Sequence, residues 1–527
     1  MNVGRAQIGN TVSSNSSIVV GNYTKNNSII IEEGGRLNGR IFSSYGATID
    51  SIKVDGSIGT QGNGNGSSII TFRQSKIEKI EVGETGVIEG AIVNSWFNGQ
   101  GVASGKSTIN DIEIKGQVKG GIQNQSGTMQ QILITDTGSV SGGIQNDDTM
   151  GNLKIENGGS VTGEIHNNNG ATISGKVDIQ GAITGRVTNN GNGNIQGDIT
   201  ISNGGSINAT NASGQDAILN QGTIGGKVEV SANSKLTGNI TNSGTITNGI
   251  FINGGSVGGD IKNSGTNAKT GNITINNDGS VGGSIINENG ANYEATNTIT
   301  LDKGSSLGGI QNKGANSTFS ANLDLKGNVG TISNEGTFNS DLNLSNGASV
   351  QAINNNGGTI SKDISINSNA KVGTISNAVG AIIAKNISVN NATLTSIDNK
   401  GTIQEAIKLE NGTIGDITNS GTITNGITAS NGTINKITNS DSGTISKEIN
   451  ISSNANVGAI SNSGTIQEAI RLNSGILTAL SNAKNATIKE VNISNNSKVG
   501  NITNEGTITN GITIDKASLE GNITNSG

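Results

Sequence analysis

Apolar and polar positions alternate along most of this chain in short runs, and one arrangement returns at nearly constant intervals. From Asn94 onward, a series of triplets of Ile, Val or Leu, then any residue, then Asn can be followed through 20 positions, at intervals of 20 to 31 residues. Self-similarity at such a period is the sequence signature of a stacked repeat. The asparagines are Asn94, Asn124, Asn146, Asn167, Asn189, Asn220, Asn242, Asn263, Asn287, Asn312, Asn334, Asn355, Asn377, Asn399, Asn419, Asn439, Asn462, Asn482, Asn504 and Asn525.

The fixed offset within the triplet predicts the direction of the asparagine side chain. Residues i and i+2 of an extended strand point to the same face, so an apolar residue that enters a core carries the asparagine inward with it. A buried amide without partners costs roughly 1–3 kcal/mol. Because stacked amides can bond one another and the backbone, we predict an internal asparagine ladder. The alternative is that Asn only favours turns and left-handed backbone.

The stretch from Thr337 to Gly357 shows the elements of one coil. Phe338 belongs to a first short strand, and Leu342 and Leu344 mark a second strand with a period of two. A third strand leads to Asn355. Successive coils that run in one direction form parallel sheets. The sequence therefore predicts an all-β fold, a single right-handed parallel β-helix, or solenoid, with coils of roughly 20–25 residues and an internal asparagine ladder.

Two segments also fit a helical pattern. Thr402 to Glu410 and Thr465 to Leu472 contain good helix formers, with apolar residues at positions i and i+4. Both segments align with strand positions of other coils, so a helix would break the stack twice at matching places. We expect strands in both.

The two ends of the chain differ from the middle. We predict irregular N-terminal coils or a cap over residues 1–90 and a regular parallel β-helix over residues 91–527, truncated at its C-terminus. The segment from Phe72 to Val82 is the most charged stretch, and it fits either a capping element or a distal recognition head. Six of the ten aromatic residues lie in the first 97 positions: Tyr23, Phe42, Tyr45, Phe72, Trp96 and Phe97.

The composition suits a narrow stack of strands. The 527 residues include 82 Gly, no Pro and no Cys, and 31% are hydrophobic. Proline would break a ladder hydrogen bond in paired coils, and the absence of cysteine means that no disulfide stabilises the fold. Aromatic residues make up only 2%, from which we expect a core without room for rings.

Charge and hydropathy exclude some partners. The net charge of −6 and the sequence pI of about 5.1 argue against nucleic acid as a partner. No segment approaches the roughly 20 apolar residues of a transmembrane helix, so we expect no transmembrane segment in this chain. Calcium-binding nonapeptide repeats are missing, and we expect no metal and no cofactor.

The sequence offers few candidate catalytic residues. The one histidine, His166, follows an apolar residue, so we expect it on the surface. The nearest acidic and basic grouping is Asp147 and Asp148 with Lys154 and Glu156, but neighbouring residues of a strand point to opposite sides. We predict no catalytic residues and a protein that is not an enzyme.

The places where the repeat is interrupted are better candidates for a ligand-binding site than the regular coils. Insertions fall at about residues 95–106 and 208–216, and loops that leave a regular scaffold commonly bind ligands. The first contains Trp96 and Phe97, a candidate binding loop; the alternative is that both rings cover the flank of the solenoid. The Thr-Ile-Thr triplets that begin at Thr245, Thr422 and Thr507 are not on successive coils, so we expect no flat threonine array.

The segment Gly-Asn-Ile-Thr-Asn-Ser-Gly-Thr-Ile-Thr-Asn-Gly-Ile at positions 238–250 nearly repeats at 500–512 and 521–527. With repeats of this kind, the chain resembles passenger domains of Gram-negative autotransporters and haemagglutinin-like surface adhesins, particularly those of epsilonproteobacteria. The resemblance implies a secreted, cell-surface β-helix, anchored in the outer membrane in the full-length protein. It further implies cell adhesion and virulence as its usual tasks.

Three functions follow as hypotheses. The first is a non-enzymatic bacterial adhesin, aggregation factor or stalk. Its partners would be surface glycans or proteins of host or bacterium, or copies of itself. The second is a self-assembling filament or surface-layer subunit, and the third is a carbohydrate-active β-helix enzyme.

Overall fold

The computed structural model describes residues 18–21, 23–60, 66–95, 105–209 and 215–527, without the side chains of residues 26 and 27. Within these ranges the named elements are all β-strands. The chain winds into a parallel β-solenoid of about 22 turns with coils of around 22 residues. The predicted all-β solenoid fold is thereby confirmed.

The chain forms two compact units. The first comprises residues up to Asn263 together with Asn267–Ile273 and Gly279–Gly283. The second comprises Ser264–Thr266, Thr274–Asp278 and Ser284–Gly527. In each unit the strands of a coil occupy two faces, which we call the asparagine face and the second face.

The asparagine face holds the strands that end in the triplet and the short strands before them. Up to residue 264 its strands are Ile18–Val20, Arg36–Leu37, Ile41–Ser43, Ser57–Ile58, Ser67–Thr71, Val87–Ile88, Ala91–Asn94, Gln117–Val118, Ile122–Asn124, Ser139–Val140, Ile144–Asn146, Ser160–Thr162, Ile165–Asn167, Ala182–Thr184, Val187–Asn189, Ser206–Asn208, Asp216–Asn220, Lys235–Leu236, Asn239–Asn242, Ser256–Val257 and Ile261–Ser264. From residue 280 on they are Ser280–Glu288, Ser306–Asn312, Asn328–Asn334, Ser349–Asn355, Lys371–Asn377, Thr393–Asn399, Thr413–Asn419, Thr433–Asn439, Asn456–Asn462, Ile476–Asn482, Lys498–Asn504, Ser518–Leu519 and Ile523–Asn525.

The second face holds the strands that begin each coil. Up to residue 276 they are Lys25–Ile31, Thr48–Val54, Lys76–Val82, Ser107–Ile114, Gly127–Ile134, Thr149–Ile155, Thr172–Ile173, Val177–Ile179, Asn194–Ile195, Ile199–Ile201, Thr223–Ile224, Val228–Ser231, Thr245–Ile246, Ile250–Asn253, Lys269–Thr270 and Ile273–Asn276. From residue 292 on they are Asn292–Tyr293, Thr298–Leu301, Thr318–Phe319, Asn322–Leu325, Thr337–Phe338, Leu342–Leu344, Thr359–Ile360, Ile364–Asn367, Ile382–Ile383, Ile387–Asn390, Thr402–Ile403, Ile407–Glu410, Thr422–Ile423, Ile427–Ser430, Thr444–Ile445, Ile449–Ser452, Thr465–Asn473, Thr487–Ser494, Thr507–Ile508 and Ile512–Asp515.

The triplet sets the register between coils. Ile375 pairs with Ile397, and Asn377 pairs with Asn399, both in parallel. Ile375 and Asn377 are fully buried, whereas Ser376 between them is half-buried and faces outward. A slip of one residue would turn the apolar side chains to solvent and the polar ones into the core, so the pattern itself selects this register.

The asparagine ladder is present in the second unit. From Asn287 to Asn525, each side-chain nitrogen donates a hydrogen bond to the side-chain oxygen of the next asparagine at 2.7–3.0 Å. The second amide hydrogen reaches backbone; Asn355, for example, donates to the carbonyl of Ile382 at 3.0 Å. Both hydrogens and the oxygen of such an amide are satisfied, so its burial carries little penalty. The predicted ladder is confirmed.

In the first unit the ladder runs from Asn94 to Asn242 with distances of 2.7–2.8 Å. The next rung is different. Asn242 donates to the hydroxyl of Thr270 at 2.9 Å, and Thr270 donates to the side-chain oxygen of Asn263 at 3.0 Å. Thr270 occupies the register position of Ile246, so a hydroxyl has entered the core where the neighbouring coil has a methyl group.

Hydroxyl residues take the ladder position in the earliest coils. Thr71 donates to the side-chain oxygen of Asn94 at 2.5 Å, and Ser43 pairs with Thr71 in register. Both are fully buried. The coil register is therefore already present at the first described residues, before the first triplet. The described N-terminal coils differ from later ones by having no amide at this corner.

The asparagines of this chain have two separate roles. None of the ladder asparagines has a positive φ. The asparagines of the turns that follow the second-face strands do, including Asn346, Asn391 and Asn411 with φ of 55°, 49° and 50°. Left-handed backbone is a position where Asn is tolerated better than most residues. Turn preference thus explains the second group, while burial and hydrogen bonding explain the ladder.

The expectation of a core without room for rings is wrong. Tyr293, Phe319 and Phe338 lie fully buried in the first strands of three successive coils. The ring centroids of Phe319 and Phe338 are 4.9 Å apart with planes 4° from parallel, and those of Tyr293 and Phe319 are 5.4 Å apart. Rings on successive coils stack, so each ring occupies the space above its neighbour. The amino-acid composition does not show this arrangement.

The two segments with a helical pattern are strands, as expected. Thr465–Asn473 is one continuous strand, and the other segment contains Thr402–Ile403 and Ile407–Glu410. Pairing with the coils on either side determines their conformation. A helix at these positions would leave backbone N–H and C=O groups of the neighbouring strands without hydrogen-bond partners.

Candidate interaction surface

Outward side chains form columns on the asparagine face of the second unit. The residue between the apolar residue and the asparagine of each triplet pairs in register with its counterpart on the next coil. The column comprises Ser333, Asn354, Ser376, Asp398, Thr418, Thr438, Ser461, Ser481 and Thr503. Neighbouring parallel strands lie about 4.8 Å apart. The face therefore presents small polar groups at a constant spacing.

A second column consists almost entirely of threonine. It runs along the first strands of the second face and contains Thr318, Thr337, Thr359, Ile382, Thr402, Thr422, Thr444, Thr465, Thr487 and Thr507. The Thr-Ile-Thr triplets are indeed not on successive coils. The structure nevertheless aligns Thr422 and Thr507, which begin two of these triplets, with the threonines of the coils between them. Thr245, which begins the third triplet, pairs with Lys269 on the next coil.

The described residues include only part of each of the two sequence insertions. The candidate binding loop, Trp96 and Phe97, lies outside the described residues. At the second insertion, Asp216 accepts hydrogen bonds from the hydroxyl of Thr241 at 2.6 Å and from the amide of Asn239 at 3.3 Å. Asp216 is therefore bound to the next coil at the C-terminal side of this insertion.

The candidate acidic grouping does not act as one cluster. Asp148 forms an ion pair of 2.6 Å with Lys106, and this partner together with the backbone N–H of Gly127 keeps the pKa of Asp148 low despite desolvation. Lys154 instead pairs with Glu156 at 2.9 Å. Asp147 accepts from the side chains of its own and the next coil. These charges are thus engaged in separate local contacts.

His166 lies on the outer side of its strand, between two buried residues, as expected. Its side chain is half-buried, and Nε2 lies 2.9 Å from Oε2 of Glu164. The same carboxylate oxygen accepts from Nε of Arg186 at 3.1 Å. Glu164 therefore links the histidine to the arginine of the next coil.

A charged network covers part of the second face in the early coils. Lys79 lies 2.7 Å from Glu113 and 3.3 Å from Glu81, and Lys115 lies 3.1 Å and 3.2 Å from the same two carboxylates. Hydrogen bonding to Lys79, followed by Lys115, lowers the pKa of Glu113 against the opposing effect of desolvation. The charge that the sequence shows in this region is therefore largely neutralised within the surface.

Aromatic rings and guanidinium groups lie close together at the asparagine-face strand Ile41–Ser43 and at the turns that follow it and Ser67–Thr71. Arg40 lies 5.2 Å from the Phe42 ring, and the centroids of Phe42 and Phe72 are 6.1 Å apart. The guanidinium carbon of Arg73 lies 4.9 Å from the Phe72 ring and 4.7 Å from the Tyr45 ring. We call these five residues the aromatic–arginine cluster. Sequence reasoning noted the aromatic residues here but did not identify the arginines.

The geometry of both units defines the chain as a parallel β-solenoid repeat protein. Comparison with protein-family models gives no match, and comparison with curated proteins gives none either. In the described part of the chain, no group of three or more His, Cys, Asp or Glu residues is placed to hold a metal ion. Across the same residues, no helix is long and apolar enough to cross a membrane.

Proposed function

We propose that this chain is a non-enzymatic bacterial β-solenoid that serves as an adhesin, aggregation factor or stalk. The observation that supports the proposal is the column of small polar side chains on the asparagine face, from Ser333 to Thr503, held in register coil after coil. Each member can form only a weak contact. An array of many such contacts at constant spacing binds firmly, because every contact after the first is effectively intramolecular.

The charge distribution favours binding by such arrays over chemistry at a single point. Lys154 pairs with Glu156, Lys106 with Asp148, and the charged network on the second face pairs its own lysines and glutamates. Exposed pairs of this kind contribute little to stability. They do, however, neutralise charged groups that a catalytic site would use. The partners we propose are surface glycans or proteins of host or bacterium, or copies of this chain.

The proposed location, outside the cell or at the cell surface, follows from the resemblance to autotransporter passenger domains. The repeated segments at 238–250 and 500–512 support that resemblance. A chain that works there without cysteine would keep its fold under either oxidising or reducing conditions, because no disulfide contributes to it.

Display on the surface of a non-adherent bacterium tests the proposal. We expect displaying cells to aggregate or to adhere to epithelial cells, and cells without the chain to do neither. Replacing Thr418, Thr438 and Ser461 by lysine should reduce the effect, because three charges on successive coils repel a matching array. The same number of lysines at Asn343, Ser365 and Ser388 on the second face provides the control.

Equal behaviour of displaying and non-displaying cells would contradict the adhesive function. Filaments of the purified chain, seen by electron microscopy without cell aggregation, would assign it to the assembly of a surface layer instead. Release of reducing sugars from a polysaccharide would contradict the non-enzymatic role.

A further inference from the structure

We propose that the turn carrying Tyr23, Tyr45 and Arg73 is a binding site for an acidic saccharide, a sugar ring that bears a carboxylate. The inference deepens the proposed adhesive function, since it names a ligand class and a place for it. These residues follow the asparagine-face strands of three successive coils, so they lie side by side. The backbone N–H of Tyr23 donates to the carbonyl of Tyr45 at 2.8 Å, and that of Gly46 donates to the carbonyl of Arg73 at 2.9 Å.

The two tyrosine rings are presented to solvent. Tyr23 is 79% exposed and Tyr45 is 47% exposed, whereas the three rings of the second unit are fully buried. The ring of Tyr23 lies against Gly46, where a Cβ atom would overlap it. The atoms nearest to the glycine are Cδ1 and Cε1, along one edge of the ring, so most of the ring surface is open to solvent. An open, flat, apolar ring of this kind can stack against the apolar face of a sugar.

The backbone holds these side chains in an unfavourable conformation. Tyr23, Tyr45 and Arg73 have φ of 58°, 54° and 50°. At the matching turn of a later coil, the residue aligned with Tyr45 is Asn289, which tolerates φ of 58° with less strain. Bulky residues in left-handed backbone cost of order 1–3 kcal/mol each, and such strain concentrates at binding sites.

Arg73 supplies the charge. Its guanidinium lies between the rings of Tyr45 and Phe72 and donates from Nη1 to the hydroxyl of Tyr45. Among its partners in the described residues there is no carboxylate. A guanidinium presents five donors in a planar fork that matches a carboxylate, and the flanking rings hold that fork in place. Nη1 contacts Tyr45 and Nε is buried without a hydrogen-bond partner, so Nη2 is the nitrogen available to an anion.

Ring faces and a cation together favour a saccharide over an acidic peptide. A peptide rich in glutamate satisfies the guanidinium but offers no flat apolar face to the exposed side of Tyr23. A uronic acid residue offers both groups on one rigid ring.

Titration calorimetry on the intact chain at physiological ionic strength tests the site with three probes. A hyaluronan tetrasaccharide carries two glucuronates, chitotetraose is a neutral oligosaccharide of the same length, and a short polyglutamate peptide carries charge without sugar rings. We expect the hyaluronan fragment to bind, and chitotetraose and polyglutamate to bind at least about tenfold more weakly, because each lacks one of the two kinds of contact.

Variants assign the binding to this turn. Tyr23→Ala and Arg73→Ala should each weaken hyaluronan binding by roughly tenfold or more, whereas Tyr23→Phe should retain it because the ring face is unchanged. Phe251→Ala is the matched control, since Phe251 also lies beside a cation, Lys227, at 5.5 Å. That lysine is already paired with Glu229 at 2.6 Å. Circular dichroism confirms that each variant is folded.

Three results would overturn the inference: no binding of the hyaluronan fragment, binding of chitotetraose or polyglutamate with equal affinity, or an equal loss in Phe251→Ala. Preference for polyglutamate would assign the turn to an acidic protein partner. Cell aggregation without saccharide binding would leave the adhesive function in place and reject this site. Saccharide binding without aggregation or adhesion would support this site and reject the adhesive function.

Discussion

The side-chain nitrogen of Asn355 donates a hydrogen bond of 2.9 Å to the side-chain oxygen of Asn377, one coil further along. Asn377 repeats the contact with Asn399 at 2.8 Å, so the amide dipoles of the second unit point the same way. Aligned hydrogen bonds in a low-dielectric interior strengthen one another. The chain therefore uses a buried polar row as part of its core and fixes its coil register through that row.

Removal of one ladder amide should destabilise the second unit. We expect Asn334→Ala or Asn377→Ala to lower the free energy of unfolding by roughly 1–3 kcal/mol, because the amides on either side lose a buried partner. Asn343→Ala is the control, since Asn343 is exposed on the second face. Urea titration followed by circular dichroism measures the difference. Equal, negligible effects of all three substitutions would mean that the ladder contributes nothing to stability.

The hydroxyl of Thr270 should be as important to the first unit as an amide is elsewhere. Thr270→Val keeps the shape of the side chain but removes the bridge between Asn242 and Asn263. We expect a loss of roughly 1–3 kcal/mol in the free energy of unfolding. Thr245→Val, on the outward position of the preceding coil, should change it by less than about 0.5 kcal/mol. Thermal unfolding of both variants checks this, and a stable Thr270→Val protein would contradict it.

The ring stack should tolerate an aliphatic residue better than a cavity. Phe319→Ala is expected to cost about 3–5 kcal/mol, because Phe319 is fully buried between two other rings. Phe319→Ile should cost clearly less, since Ile360 holds the equivalent place beside Phe338. Urea midpoints of the two variants provide the comparison. A larger loss for Ile than for Ala would show that stacking geometry, and not filled volume, is the important factor.

The charged network should contribute a small, pH-dependent stability. Lys79 and Lys115 lower the folded-state pKa of Glu113, so its contribution is fully present above the unfolded pKa of glutamate, about 4.3. That contribution is lost as the pH falls through the lower folded value. We expect Glu113→Gln to cost less than about 1 kcal/mol at pH 7, because the group is near the surface and screened by salt.

The measurement for this network is the difference in unfolding free energy between wild type and Glu113→Gln, followed from pH 7 down through the pH range in which Glu113 becomes protonated. The difference should shrink both on acidification and at high ionic strength. A difference that stays constant with pH would indicate that the substitution acts through packing. Asp50→Asn, where the ion pair with Lys25 is longer at 3.9 Å and more exposed, provides the control.

Much of the core could be predicted from the order of residues. Ile375 and Asn377 are two positions apart, and strand geometry alone sends both to the same side. The stacking of Phe319 on Phe338 could not be predicted in this way, because a ring requires space that depends on what lies in the next coil. The bridge through Thr270 was missed for the same reason, since its two partners become neighbours only after the coils stack.

The candidate surface was harder to predict than the core. Trp96 and Phe97, chosen from the sequence because they interrupt the repeat, stay a prediction. The pairing of Lys106 with Asp148 and of Arg73 with Tyr45 joins residues 42 and 28 positions apart in the chain. Pairwise contacts over such separations follow from the coil register and turn conformation, which residue type does not specify.

The sequence by itself determined the coil, its register and the inward direction of the asparagines, because period-two alternation and a fixed offset act locally on an extended backbone. Only the tertiary structure decided which hydroxyl replaces an amide in the ladder, which rings stack inside, and which arginine lies between two aromatic rings at the N-terminal turn. Those outcomes depend on the few ångströms between one coil and the next, where residues about one coil apart in the chain become direct neighbours.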